Sequence, residues 1–223
     1  MGTIKDTVSK DIQAQKAVGI VEKSEYDQAL AQYNLNITDE EVKAAVTKII
    51  AEKVSENDNL EVKKFLLGSV ELTTLSTTDT EEKVLEMVEK VNRFDSEYPD
   101  LPHVAALCAY PCFTKLMADS LEVDGVDITN VTGNFPSSQT FLEVKTIETA
   151  LAIKDGATHI DIVMPVGKFL SGDYEGVCDT INELKQVCGD VPMKVILETG
   201  DLGNASAIKT ASLLSMYAGA DYI

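Results

Sequence analysis

A glycine stands between an amphipathic segment and the next apolar run at Gly125, Gly156, Gly189 and Gly219, at intervals of 31, 33 and 30 residues. Glycine suits the position just past a helix because it enters the left-handed region without a Cβ penalty. The segments between the glycines repeat too. The apolar runs "FLLGSVEL", "HVAALCAY", "VDITNVTG", "HIDIVMP", "MKVILET" and "ADYI" read as strands. Between them "TDTEEKVLEMVEKVNRF", "SSQTFLEVKTIETALAIKDG" and "DYEGVCDTINELKQVCG" carry helical spacing. Strand, helix, strand at a fixed pitch implies parallel pairing with right-handed crossovers.

Two α/β architectures meet that pattern, an open doubly wound sheet and a (β/α)8 TIM barrel. No G-x-G-x-x-G follows any of the strands, which weakens the dinucleotide-binding version of the open sheet. Polar residues inside several successive strands favour the barrel, whose active sites draw one or two side chains from many strands. Ahead of the repeat, residues 1–63 read as a helical extension without strands, and residues 64–223 as the barrel domain. The clearest helix there is "TDEEVKAAVTKIIAEKV", opened by a Thr38/Glu41 capping box and carrying a Val42, Val46, Ile49, Ile50 stripe. Such a stripe marks a packing or oligomerisation element.

Composition restricts the partners. With 19 basic and 37 acidic residues, the net charge of −18 argues against nucleic acid or an anionic membrane. No apolar run approaches the roughly 18 residues of a membrane span, and "MGTIKDTVSKD" does not have the make-up of a signal peptide. Cys108, Cys112, Cys178 and Cys188 have neither zinc nor redox spacing, and His103 and His159 are the only histidines. No metal or disulfide framework is expected, and a reducing, cytoplasmic compartment fits.

The residue that calls for explanation is Asp161, set among Ile160, Ile162, Val163 and Met164. A carboxylate seldom leaves water without a partner. Side chains alternate along a strand, so His159, Asp161 and Val163 share one face. With the apolar face under the helices, Asp161 points into the barrel. On the next strand Lys194, Ile196 and Glu198 share the corresponding face, which sets an ammonium beside a carboxylate. That pairing tunes pKa values for proton transfer, and it equally describes a structural ion pair. Cys108 lies mid-strand, as core or as a pocket wall. His103 reads as a surface or packing residue, and His159, at the strand entry, as core.

Over residues 66–223 the chain resembles the deoxyribose-phosphate aldolase family. The matching stretches are "ELTTLS", "ALCAYP", "GNFPSS", "GATHIDIVMPVGKFLSGDYEGV", "MKVILETGDL" and "SMYAGADYI". The resemblance implies a class I aldolase that splits 2-deoxy-D-ribose 5-phosphate into glyceraldehyde 3-phosphate and acetaldehyde, with no metal or organic cofactor. A lysine would form a Schiff base with the sugar carbonyl, and Asp161 would serve the proton relay. Lys194 would support the pocket electrostatically, and Thr73, Cys108 and Phe135 would line it. The implied partner is a small phosphorylated sugar, with a possible homodimer as the assembly.

Three departures accompany the resemblance. Glu71 stands where the family usually carries Asp, and "VTGNFP" is one residue longer than the common form. The family continues past "GADYI" into K-T-S-T-G-K, whose first lysine is the nucleophile, whereas this sequence ends at Ile223. The expectation is therefore about six of eight strands, with the Schiff-base lysine absent from residues 1–223. A catalytically dead barrel fragment acting as an interaction module is the alternative, and a transaldolase-like barrel a third reading.

Overall fold

The structure, a computed structural model, describes residues 24–223. The expectation of helices over residues 1–23 lies outside the described residues. Among the described residues, three helices precede the sheet: α1 (Glu25–Leu30), α2 (Asp39–Asn57) and α3 (Leu60–Leu67). Both halves of the capping box open α2: Glu41 N donates to Thr38 Oγ1 at 3.1 Å, and Thr38 N donates to Glu41 Oε2 at 2.8 Å. Among the described residues its apolar stripe is left largely uncovered: Val42 and Val46 line a shallow groove with Thr199, Gly203 and Ile208, but no residue of α2 is buried and Ile49 is 59% exposed. Helical spacing shows that a face is apolar; it does not say what covers that face.

Five parallel strands follow, β1 (Glu71–Thr73), β2 (Ala106–Ala109), β3 (Asp127–Thr132), β4 (His159–Val163) and β5 (Met193–Ile196). They pair in the order β1-β2-β3-β4-β5. That sequential order belongs to a barrel wall; a doubly wound sheet reverses direction at a switch point. The crossovers run through α4 (Glu81–Glu97), α5 (Thr114–Ser120), α6 (Leu142–Lys154), and α7 (Val166–Leu170) with α8 (Tyr174–Cys188). After β5 come α9 (Thr199–Leu202) and α10 (Ala205–Tyr217).

Two of the expected strands are corrected. "FLLGSVEL" begins in a helix, because Asn59 caps α3 by accepting from Val62 N at 3.0 Å and the helix runs on to Leu67. The strand itself is confined to Glu71–Thr73. "ADYI" forms no named strand and pairs with β5 through a single bridge, Lys194 with Tyr222. The described sheet therefore has five strands where about six were expected. "MKVILET" pairs only as far as Ile196, and Glu198 turns away at a φ of 53°.

Alternation along the strands divides the side chains between two environments. The outward residues Leu107, Ala109 and Ile128 pack with Val84, Val88, Val91 and Met117. Ile160, Ile162, Met193 and Val195 pack with Val177, Ile181, Leu184 and Leu214. The outward Asn130 is buried but satisfied: Thr114 Oγ1 donates to its Oδ1 at 2.7 Å, and its Nδ2 donates to the Ala109 carbonyl at 3.0 Å. The inward faces hold Glu71 and Thr73, Cys108, Thr129, Asp161 and Lys194, in step with the register.

The four recurring glycines adopt φ values of 81°, 114°, 57° and 103°. Gly156 has least freedom to change, since a Cβ there would stand 2.7 Å from the Ala118 Cβ. We therefore expect Gly156→Ala to cost about 1–3 kcal/mol through strain and overpacking together. Urea unfolding should show a lower midpoint with an unchanged slope.

Candidate active site

The inward polar residues come from strands at both ends of the sheet. Lys194 and Asp161 are register partners on β5 and β4. Lys194 Nζ lies 2.8 Å from Asp161 Oδ2 and 2.9 Å from Glu71 Oε2. Glu71 is on β1, four strands away in sheet order, so this contact spans the barrel interior. It requires the sheet to curl. Both head groups point inward, and the structure brings Asp161 and Lys194 together as the alternation of β4 and β5 implies.

The electrostatics follow from the geometry. Asp161 is 4% exposed, and burial pushes its carboxyl up to about 6 against the opposing hydrogen bond and charge of Lys194. Burial by itself would lower Lys194, but its hydrogen bonds to Asp161 and Glu71 outweigh that and hold its ammonium above the usual range. Two carboxylates thus share one cation. The more deeply buried of them is poised to take up a proton near neutral pH.

Cys108 is buried on β2. Its sulfur and one carboxylate oxygen each of Glu71 and Asp161 all lie within 4.8 Å of one another. Burial first, then the charges of Glu71 and Asp161, push the thiol up to about 12. It is accordingly a neutral wall and a poor nucleophile near pH 7. These three donors have the reach of a metal set, but the Lys194 ammonium already bridges both carboxylates. Thr73, the register partner of Cys108, donates through Oγ1 to the Glu71 carbonyl at 3.1 Å. Phe135 stands apart from the cluster, half-buried in the loop after β3, with its ring 6.1 Å edge-on from that of Tyr110.

A cavity of about 210 Å³ adjoins the charged cluster, lined by Glu71, Thr129, His159, Asp161, Lys194 and Tyr222. His159 is at its strand-entry end, with Nδ1 3.7 Å from Asp127 Oδ1. His103 packs on Phe94, ring centroids 6.0 Å apart. Among the described residues, the non-glycine residues with positive φ are Asn134, Ser138 and Glu198. All three lie just past the C-terminal ends of β3 and β5, where barrel enzymes build their sites and where strain collects.

In the sequence Glu71 stands out only as a departure from the family's usual Asp. Here it is the second carboxylate on Lys194. The available signal was its position as the inward residue of a strand that also carries Thr73.

Residues 65–223 match the DeoC/LacD family of aldolases. Among curated proteins, the chain is similar to deoxyribose-phosphate aldolase of Homo sapiens, 33% identical over 169 residues that cover 69% of this chain and 52% of that one. The Bos taurus deoxyribose-phosphate aldolase is 34% identical over the same length, with the same coverage. Among solved structures, the tetrameric deoxyribose phosphate aldolase from Aeropyrum pernix superimposes with a TM-score of 0.60 at 29% identity, covering 74% of this chain and 65% of that one. An aldolase named QR15 gives 0.61 at 28% identity, covering 70% and 65%. The chain spans between 52% and 61% of the length of the curated relatives it matches.

A carboxyl raised in the folded state favours its protonated form there, so its contribution is fully present below about pH 4 and is lost as pH rises through about 6. Asp161→Asn should therefore be more stable than the parent at pH 7, by about 1–3 kcal/mol. The two should converge below about pH 4. Denaturant unfolding across pH 3.5–8 measures this, and a parent that gains stability relative to the variant on alkalinisation would contradict the assignment.

Proposed function

Since this chain belongs to the DeoC/LacD family of aldolases, we propose that it acts as a deoxyribose-phosphate aldolase. The reaction would cleave 2-deoxy-D-ribose 5-phosphate to glyceraldehyde 3-phosphate and acetaldehyde through a Schiff base. The observation that carries this reading is the interior Glu71–Lys194–Asp161 cluster, with Asp161 close enough to neutrality to exchange a proton in either direction.

In this reading Asp161 is the general acid/base. Carbon–carbon cleavage beside a Schiff base needs a proton removed from a sugar hydroxyl and one returned to carbon. A carboxyl at about 6 can do both. Lys194 fixes the carboxylate at 2.8 Å and supplies positive potential. It is ill suited to be the nucleophile, because its ammonium is held protonated between two carboxylates and a protonated amine has no lone pair to offer. The family carries the Schiff-base lysine one position past Ile223. The reading calls for neither metal nor organic cofactor.

Thr73, Cys108 and Phe135 serve as walls in this scheme, with Phe135 at the C-terminal mouth. The aldolase unit is residues 64–223, and the helical segment before it stands outside the site. Four free thiols suit a reducing, cytoplasmic compartment, and among the described residues no helix is long and apolar enough to cross a membrane. The substrate and the possible homodimer carried over from the family complete the proposal.

The test uses deoxyribose 5-phosphate and a polypeptide that includes the family's lysine. Asp161→Asn should reduce turnover by about 10²-fold or more while substrate still binds. Borohydride reduction with substrate, followed by peptide mapping, should leave Lys194 unmodified. Near-normal turnover in Asp161→Asn would remove that residue from the chemistry, and a stoichiometric adduct on Lys194 would make it the nucleophile.

A further inference from the structure

One buried charge has no place in this reaction. Lys145, in the first turn of α6, is 3% exposed. Its ammonium donates one hydrogen bond, to Ser138 Oγ at 2.6 Å, and no carboxylate pairs with it among the described residues. An ammonium has three donors and a full charge, and burying it without a counter-ion is expensive. Helical side chains lean toward the helix N-terminus, so this one returns to the loop ahead of α6. There it meets the positive end of its own helix. Phe141 gives that terminus no side-chain cap, which leaves first-turn N–H groups open to an acceptor.

The surroundings add to the positive potential. Lys145 lines a cavity of about 830 Å³ between the loops that follow β3 and β4 and helix α8, and Lys168 lines it too. Burial first, and the charge of Lys168 second, bring the Lys145 ammonium down to about 8. Two carboxylates are nearby: Asp173, 3.7 Å from Lys168 Nζ and half exposed, and Asp179 on the α8 wall. Neither reaches Lys145. The loop is built to hold the hydroxyl in place, for Ser138 sits in the left-handed region at a φ of 56° and its N–H donates to the Asn134 carbonyl at 3.0 Å. In a chain of net charge −18, two neighbouring lysines of which the buried one has no carboxylate partner are the exception.

We propose that the cavity between α6 and α8 binds the phosphate group of a small ligand, held by Lys145, Ser138, Lys168 and the N-terminus of α6. The site is separate from the Asp161–Lys194 cluster, none of whose residues lines it. A tetrahedral oxyanion supplies the missing counter-charge and accepts from a helix N-terminus as phosphates commonly do. The walls include Phe141, 78% exposed, and Pro165, which offer apolar surface to an organic body.

The experiment is an NMR titration of the full chain with sodium phosphate against sodium chloride at equal ionic strength, and a parallel titration with phenyl phosphate. Phosphate should give saturating shifts centred on Ser138, Leu142 and Lys168. Lys168→Ala should weaken binding about tenfold, the size of one charge-assisted hydrogen bond. Lys145→Met should abolish it; should that variant not fold, Lys168→Ala decides. Tighter binding of phenyl phosphate than of inorganic phosphate would identify an organic phosphate as the ligand, and equal binding the free ion; both support the site. Shifts that match chloride, or an unchanged affinity in Lys168→Ala, would overturn it.

Discussion

The contact between Lys194 and Glu71 sets the shape of everything around it. Strands β1 and β5 are the two edges of the described sheet, and a flat sheet of five strands would hold its edges about 19 Å apart at the usual spacing of roughly 4.8 Å. A salt bridge of 2.9 Å between them exists only because the sheet curls into a barrel wall. Curling places Asp161, from β4, against the same ammonium at 2.8 Å. One lysine thereby ties three strands together through the interior, and the interior becomes polar.

A polar interior shifts the hydrophobic work to the other face of the sheet. The outward residues of every described strand pack beneath helices in two clusters, one around Val84, Leu107 and Met117 and one around Ile160, Ile181 and Leu214. Full burial of such side chains is worth about 1.5–3 kcal/mol each. That face can therefore sustain an inward face that contributes little, or that opposes folding at neutral pH, as Asp161 does with its carboxyl raised to about 6. Stability and chemistry occupy opposite sides of the same strands, which is why a single alternation rule locates both.

That division also explains what the sequence made legible. Four glycines at a near-fixed interval reflect a positive φ needed between helix and strand, just past the helix for Gly156, Gly189 and Gly219 and in the turn before β3 for Gly125. Asp161 stood out because a carboxylate among Ile160, Ile162 and Met164 violates the local pattern, and Lys194 followed from the same parity on β5. Other features were hidden for physical reasons. Phe65–Leu67 looks like the start of a strand, but its conformation is decided upstream by the Asn59 cap. "ADYI" has strand character and only one bridge to show for it. The stripe on α2 is real yet faces solvent, because periodicity reports the face and not its cover. Lys145 resembled any helical lysine, since nothing local announces that its side chain folds back into a loop and away from water.

The two unusual sites resolve opposite electrostatic problems. Inside the barrel, two carboxylates flank one ammonium, an excess of negative charge that one proton on Asp161 neutralises. Between α6 and α8, two ammonium groups gather at a helix N-terminus, and one of them has no carboxylate of its own. A protein could remove the second imbalance by deprotonating Lys145, and its lowering to about 8 is a step in that direction. The step is incomplete, because at pH 7 an amine with that pKa is still mostly charged. A buried cation that stays charged without a counter-ion among the described residues is best matched by an anion from outside, and the cavity of about 830 Å³ that Lys145 lines has room for one.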